Sequence, residues 1–280
     1  NIIMMPANRG LRVFAPLFLF YNKFYHRRIH YVVIGGWLDS FLDEHKWLVR
    51  LLKKFDAIYV ESDMMKSALQ RRGFENAVVM YNFKELEPLA ESDIEYPKSE
   101  PYKLCTFSRV MKEKGIEDAI NAVESVNAHF GRTVYTLDIF GQVDVEYKER
   151  FSQLEKSFPD YISYGGAIEA NKSVETLKSY FALLFPTYYK GEGFAGTLID
   201  AISAGVPVIA SDWKYNPEFV VHGKTGVIIK NCNAERLAEE LINIAAAPEK
   251  WNSMRLSALK ESEKYKPDIA ARPLIDRING

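Results

Sequence analysis

Apolar positions in this chain recur in two alternating patterns. Short continuous apolar runs at residues 2–5, 31–35, 57–60 and 77–81 predict buried strands. Between them, apolar residues return at helical spacing. Residues 15–28 predict a helix, with Pro16 suited to its first turn. In 43–55, Trp47, Leu48, Leu51, Leu52 and Phe55 share one helix face. Residues 63–72 predict a third helix, with Asp63 as its cap and Gly73 as its stop. Strand–helix alternation implies a parallel sheet covered by helices on its faces.

Residues 84–102 break the alternation. They hold Pro88, Pro97, Pro101 and five Glu with little periodicity, as an inter-domain linker does. Alternation then resumes. Strands are expected at 103–108, 133–140, 161–164, 181–185, 206–210 and 226–229. Helices are expected at 115–129, 145–158, 173–180, 197–204 and 234–247. The tail from 248 to 280 reads as helical, interrupted near Pro267. A length of 280 residues, at about 150 per domain, also suggests two domains. The expected organisation is an incomplete α/β domain over 1–95 and a second doubly wound domain over 96–262. A C-terminal helix over 263–280 is expected to pack back toward the first. The opening at Asn1, already in a strand, leads us to expect that the natural chain starts upstream.

Charge changes this picture locally. The whole chain carries 36 basic and 37 acidic residues, a net −1. That balance argues against a nucleic-acid partner held by a generally basic surface. Yet residues 1–38 contain Arg9, Arg12, Lys23, Arg27 and Arg28 and no acid. Within this stretch, 15–28 combines Leu and Phe residues with basic ones. It reads either as an ordinary packed helix with a solvated basic end or, over 9–28, as a helix resting on an anionic membrane surface. The longest apolar run, 13–21, has nine residues, against about 20 for a span. Cys105 and Cys232 are too few for a disulfide framework and too far apart for a metal or redox pair. A cytoplasmic protein, in part peripheral to the membrane, is the expectation.

Candidate chemistry concentrates in residues 191–212. Ligands of open parallel sheets bind beyond the carboxyl ends of strands, and this loop follows a strand and opens a helix. Gly193 and Gly196 would let a ligand approach the backbone, and the helix N-terminus favours an anion. One reading takes Gly191, Gly193 and Gly196 as a dinucleotide fingerprint with Asp212 as ribose cap, hence an NAD(P)-dependent oxidoreductase. Against it, residues 186–190 separate the strand from Gly191, and Glu192 would sit beside a pyrophosphate. The other reading uses Glu192 and Asp200, eight positions apart, as acceptors for sugar and ribose hydroxyls flanking amides that bind a diphosphate.

The Glu192-Gly-Phe segment, with Asp200-Ala and the following Gly-Val-Pro-Val-Ile-Ala-Ser, resembles the E-x7-E segment of GT-B retaining glycosyltransferases of family 4. The resemblance implies two Rossmann-like domains facing a cleft, the first truncated here. It also implies that Glu192 contacts the donor sugar and Asp200, an Asp where the family has Glu, holds the ribose. Phe107-Ser-Arg-Val-Met-Lys-Glu-Lys-Gly115 resembles the family segment that neutralises the donor diphosphate, so Arg109 and Lys114 inherit that role. Gly193, Phe194, Ala195 and Gly196 would line the phosphate side. Gly141 and the segment ending in Ile168 resemble further donor-binding loops. The implied activity is sugar transfer, with retention, from a UDP- or GDP-linked donor to a glycan or lipid-linked hydroxyl in cell-surface polysaccharide synthesis. No other cofactor is implied, and no metal-ligand cluster is seen in the sequence. A catalytically silent glycan-binding module remains the alternative from outside the enzyme class.

Overall fold

The computed structural model describes residues 1–280 and divides into two compact units. The first comprises residues 1–84, 191–195 and 265–280; the second comprises 85–190 and 196–264. The sequence places its boundaries at 95/96 and 262/263. The contacts place them at 84/85 and 264/265 and set 191–195 with the first unit.

The first unit is built on a four-stranded parallel sheet. Its strands β1 (Ile2–Met4), β2 (Ile29–Val32), β3 (Ala57–Val60) and β4 (Ala77–Val79) lie side by side in chain order. Tyr31 pairs with Ile58, and Tyr59 with Val78. Strands β2 and β3 are buried along their whole length, as expected of a sheet covered on both faces. Even His30 is buried there, its Nδ1 3.1 Å from the Tyr59 hydroxyl, and burial lowers its pKa.

Helices α1 (Asn8–Tyr25), α2 (Leu38–Glu44), α3 (Lys46–Leu52) and α4 (Asp63–Arg71) connect these strands. Three local expectations change. Helix α1 starts at Asn8, so Pro16 lies inside it rather than in its first turn. The helix expected over 43–55 is two helices, because His45 leaves helical geometry (φ −125°, ψ 53°). The His45 ring stacks on Phe41 at 4.1 Å. The cap of α4 is Ser62, not Asp63: the Ser62 Oγ accepts the Met65 N–H at 3.1 Å.

The second unit holds a six-stranded, wholly parallel sheet. Its strands are β5 (Tyr102–Phe107), β6 (Tyr135–Phe140), β7 (Ile162–Gly166), β8 (Ala182–Phe185), β9 (Val208–Ser211) and β10 (Gly226–Ile229). Their spatial order is β10-β9-β8-β5-β6-β7, so the chain winds outward from β5 first one way and then the other. Helices α5 (Ile116–Phe130), α6 (Lys148–Glu155), α7 (Ser173–Leu177), α8 (Gly196–Ser203), α9 (Asn216–Phe219), α10 (Ala234–Ala246), α11 (Pro248–Asn252) and α12 (Met254–Glu261) complete it. Val123 of α5, Leu137 and Ile209 of the sheet and Leu237 and Leu241 of α10 belong to one buried core. Residues 84–101 contain a single 3-10 turn, Glu91–Asp93.

The chain ends with α13 (Pro267–Ala270) and α14 (Arg272–Asn279), grouped with the first unit. Asn1 Nδ2 donates to the Ile278 carbonyl at 2.9 Å, and Arg28 Nη1 to that of Arg277 at 3.0 Å.

Candidate active site

In a doubly wound sheet the crevice for a ligand opens where the winding reverses, beyond the carboxyl ends of the strands. Here the reversal lies between β5 and β8, which are hydrogen-bonded neighbours. Three loops meet at this point. The loop after β5 runs through Ser108 and Arg109 to a 3-10 turn, Lys112–Lys114. The loop after β6 begins at Gly141, and the loop after β8 runs from Pro186 towards α8.

Direct bonds tie them together. Glu113 O accepts the Tyr188 N–H at 2.8 Å, fixing the 3-10 turn to the loop after β8. The Thr197 hydroxyl, in the first turn of α8, donates to Phe107 O at the end of β5. The start of α8 therefore lies against the strand end from which Ser108 and Arg109 depart. Gly141, at φ +137°, approaches the same strand end from β6. A Cβ there would overlap the Ser108 carbonyl oxygen and stand 2.7 Å from its carbon, so only glycine fits. The Gly141 N–H donates to Gly166 O at 2.8 Å, and the Tyr164 hydroxyl donates to Gly141 O at 2.9 Å. Gly141 thus shapes the site through space, its backbone groups being committed to strand β7. Ile168, half-buried, follows in the loop after β7.

Four basic residues stand on these loops, Arg109, Lys112, Lys114 and Lys190; Lys112 rivals Lys114 for the lysine role the sequence implies. The Arg109 side chain is 63% exposed, and its Nη1 lies 3.6 Å from Asp144 Oδ2, a loose pair that an incoming anion can displace. Lys114 is more restrained: its Nζ sits over the rings of Phe185 and Tyr189, 5.3 and 5.4 Å from their centroids. Asp200, in α8, is buried, and its Oδ1 accepts the hydroxyl of buried Ser173 at 2.8 Å.

The loop that precedes α8 is built differently from the sequence expectation. Residues 191–195 belong to the first unit, with the chain on either side in the second. The sequence predicts Gly193 as open backbone for a ligand. A Cβ on it would instead stand 2.6 Å from Gly35 Cα, 2.8 Å from Gly36 N and 3.0 Å from Glu61 Oε2. The Phe194 N–H, expected on the phosphate side, points to Glu61 Oε2 at 3.3 Å. Phe194 itself is buried against Tyr265, ring centroids 5.1 Å apart. Glu192 is buried, and Ala195 and Gly196 are half-buried where the chain returns to α8. The structure thus gathers Arg109, Lys114, Gly141, Gly196 and Asp200 in the second unit, and Glu192, Gly193, Phe194 and Ala195 in the first.

Glu61 is the residue that sequence reading passed over. It is a lone acid just after the apolar run Ala57–Val60, and it is buried, with its pKa raised by that burial against the pull of two backbone N–H bonds. A carboxyl group directly after a fully apolar strand, where burial is costly, is the signal that could have found it.

The dinucleotide fingerprint is not built here. Strand β8 ends at Phe185, and five residues precede Gly191, so no tight strand-to-helix turn forms. Asp212 accepts the Asn231 N–H at 3.3 Å. No group of three or more His, Cys, Asp or Glu is arranged to hold a metal ion among the described residues. No helix is long and apolar enough to cross a membrane.

Comparison with known proteins agrees with this geometry. The family model for glycosyl transferases group 1 matches residues 90–261, more than half of the chain. The UDP-N-acetylglucosamine–peptide N-acetylglucosaminyltransferase GtfA subunit of Streptococcus gordonii is 30% identical over 178 residues, 61% of this chain and 34% of that protein. The uncharacterized glycosyltransferase MJ1069 of Methanocaldococcus jannaschii is 23% identical over 69% of this chain and 50% of its own length. The chain therefore spans between a third and a half of these curated relatives. Among solved structures, Anabaena HepE in complex with UDP superposes with a TM-score of 0.80 at 16% identity, covering 99% of this chain and 78% of that one. The GtfA/B complex gives 0.69 at 22% identity, over 90% and 52%. Both likenesses place the two parallel sheets among the Rossmann-like domains of the GT-B fold. With its matched segment carrying β5 to α12 and every loop of the second unit's site, this chain belongs to the glycosyl transferases group 1 family.

Proposed function

We propose that this protein transfers a sugar, with retention of configuration, from a nucleoside diphosphate sugar to a hydroxyl of a glycan or lipid-linked acceptor. One observation carries the reading. Arg109 and Lys114 stand on the loop after β5, where the second sheet reverses its winding and where Gly141 and Thr197 pack against the strand end.

The chemistry follows from charge. As the bond from the anomeric carbon to the diphosphate oxygen breaks, negative charge grows on the departing diphosphate. Arg109, Lys114 and the N-terminus of α8 stabilise that charge where it develops. Glu192 orients the donor sugar through its hydroxyls, and Asp200, positioned by Ser173, accepts from the ribose. The acceptor oxygen bonds to the anomeric carbon on the face the leaving group vacates, and its proton passes to the departing phosphate oxygen. The two side-chain cations supply the positive charge, so a chelator is expected to leave the rate unchanged.

The donor is UDP- or GDP-linked. HepE is described with UDP and with UDP-glucose. A Mycobacterium tuberculosis relative, 22% identical over 69% of this chain, is described as GDP-mannose-dependent. A poly(glycerol-phosphate) alpha-glucosyltransferase of Bacillus subtilis and an amylovoran glycosyltransferase of Erwinia amylovora support a role in cell-surface polymer synthesis. A place on the cytoplasmic membrane face is supported by α1, which exposes Val13, Phe14, Phe20, Tyr21, Phe24 and Tyr25 in the acid-free stretch with Arg9, Arg12 and Lys23.

The test is turnover. The protein is incubated with UDP-glucose, UDP-N-acetylglucosamine and GDP-mannose in turn, with glycan and lipid-linked acceptors, and released nucleoside diphosphate is measured. Release from one donor with the α anomer of the sugar retained supports the proposal. No release from any donor would leave the silent-module reading standing.

A further inference from the structure

We infer that Glu61 is a positioning residue that fixes the conformation of residues 191–195, and through it the carboxylate of Glu192. The inference rests on the proposed sugar-contacting role of Glu192 and adds the element that sets its place.

The observations lie within the first unit. Strand β3 delivers Glu61 at its carboxyl end, one residue before the Ser62 cap of α4. The next residue is therefore held, and the position of Glu61 is fixed by regular structure on both sides. Glu61 Oε2 accepts two backbone N–H groups, from Gly35 at 3.1 Å and from Phe194 at 3.3 Å. One carboxylate oxygen thus joins the loop after β2 to residues 191–195. The contact is close: Gly193 stands so near Gly35, Gly36 and Glu61 that any side chain would collide with backbone. Asn82 Nδ2 donates to Phe194 O at 3.3 Å, so both polar groups of the Phe194 backbone have partners from this unit. The Phe194 ring packs on Tyr265, which in turn meets Tyr81 edge-on at 5.6 Å.

This arrangement is costly unless it serves something. A buried carboxylate opposes folding unless its hydrogen bonds are made, and here the bonds made are to the two segments that flank Gly193. The neighbour of this locked dipeptide is Glu192, itself buried. With Phe194 N–H and O both held, Glu192 has one backbone position from which to present its side chain. Precision at that level decides whether a group contacts the reacting sugar.

The experiment compares the wild type with Glu61→Ala and Glu61→Gln, using UDP, UDP-glucose, UDP-N-acetylglucosamine and GDP-mannose as probes. Affinity is read by calorimetry, and amide hydrogen exchange is followed in peptides covering 190–196 and covering β5 to β10. In Glu61→Ala we expect exchange at 193–195 to rise at least tenfold while β5 to β10 are unchanged. The affinity for the nucleoside diphosphate should stay within twofold, while that for the matching sugar nucleotide falls about tenfold, or about 1.4 kcal/mol. Glu61→Gln, which keeps the shape and one acceptor oxygen, should lie between. Unchanged exchange at 193–195 would overturn the inference. Equal weakening towards nucleotide and sugar nucleotide would also overturn it, since that is the mark of general damage. If the wild type binds no sugar nucleotide, the functional reading fails, and the exchange result alone decides the role of Glu61. Gly193→Ala keeps the Glu61 side chain but drives a Cβ against Gly35, Gly36 and the Glu61 carboxylate, and should reproduce the exchange change.

Discussion

Substituting Arg109 by Ala should separate activity from stability. In the structure the guanidinium is mostly exposed and makes one loose ion pair, 3.6 Å to Asp144. An exposed pair of this kind contributes about 0–1 kcal/mol. For a protein of this size that is a Tm change of at most about 2–4 °C, and the looseness of the pair puts it at the low end. The functional cost is of a different order. Arg109 leaves the end of β5 where the start of α8 is anchored by Thr197, and in the proposed mechanism it faces charge that grows in the transition state. Losing one such charge-stabilising donor costs about 10²–10³ in rate, or about 2.7–4 kcal/mol. The assay is paired: calorimetric unfolding, and kcat/KM for nucleoside diphosphate release. The account expects kcat/KM to fall by about 10² or more with Tm nearly unchanged. A near-wild-type rate would remove Arg109 from the mechanism. A large fall in Tm would show that its pair with Asp144 had been misjudged.

Other consequences can be checked in the same preparations. Gly141→Ala forces a side chain into a left-handed backbone against Ser108. The conformation alone costs about 1–3 kcal/mol, so Tm should fall by several degrees and nucleotide-dependent stabilisation should vanish together. Asp200→Asn keeps the shape but removes the charge that accepts the Ser173 hydroxyl. Nucleoside diphosphate affinity measured by calorimetry should drop about tenfold, and an unchanged affinity would deny the ribose contact. The Cys232 thiol is pushed up to about 12, by burial first and then by Asp118 and Asp212. The reactive form is the thiolate, a fraction of about 10⁻⁴ at pH 8 for such a pKa. Labelling of the folded protein by a disulfide reagent should be slow and rise tenfold per pH unit from pH 7 to 10, whereas a plateau near pH 9 would contradict the burial.

Much of the fold is legible because strand–helix alternation is a local pattern. The strands Ala57–Val60 and Gly226–Ile229 run between the same residues that their apolar runs mark. The helix at 234–246 matches its periodicity to within a residue. What the sequence hides depends on neighbours distant along the chain. Pro16 suggests a helix start, yet the helix runs through it, and the two buried residues of α1, Leu11 and Ala15, lie in the turns before the proline. Residues 43–55 carry an unbroken helical period, and the break at His45 is a backbone departure (φ −125°, ψ 53°) that this period does not mark. Asp63 is as good a cap by type as Ser62; only the backbone path selects the serine.

The site shows the same division. Arg109 and Lys114 sit on the loop after β5 and Asp200 in α8, elements whose place follows from the alternation. The glycines could be recognised as special, but not for the right reason. Gly193 answers to Gly35 and Glu61, both far earlier in the chain; Glu61 is 133 residues from Phe194. Gly141 answers to Ser108. Glu61 has no motif around it; its role appears only when Gly35 and Phe194 are seen to share one carboxylate oxygen.

The central claim is that the second unit binds a nucleoside diphosphate through Arg109, Lys114 and the start of α8. The most direct measurement is thermal stabilisation of this chain by UDP, GDP, ADP, CMP and NADH in the presence of a chelator, with Arg109→Ala alongside. At about 100 times its Kd a ligand adds about 2.7 kcal/mol. The account expects one nucleoside diphosphate to stabilise the wild type by several degrees, with the effect much reduced in Arg109→Ala. Stabilisation by NADH alone, or by a nucleoside diphosphate equally in both proteins, would contradict it.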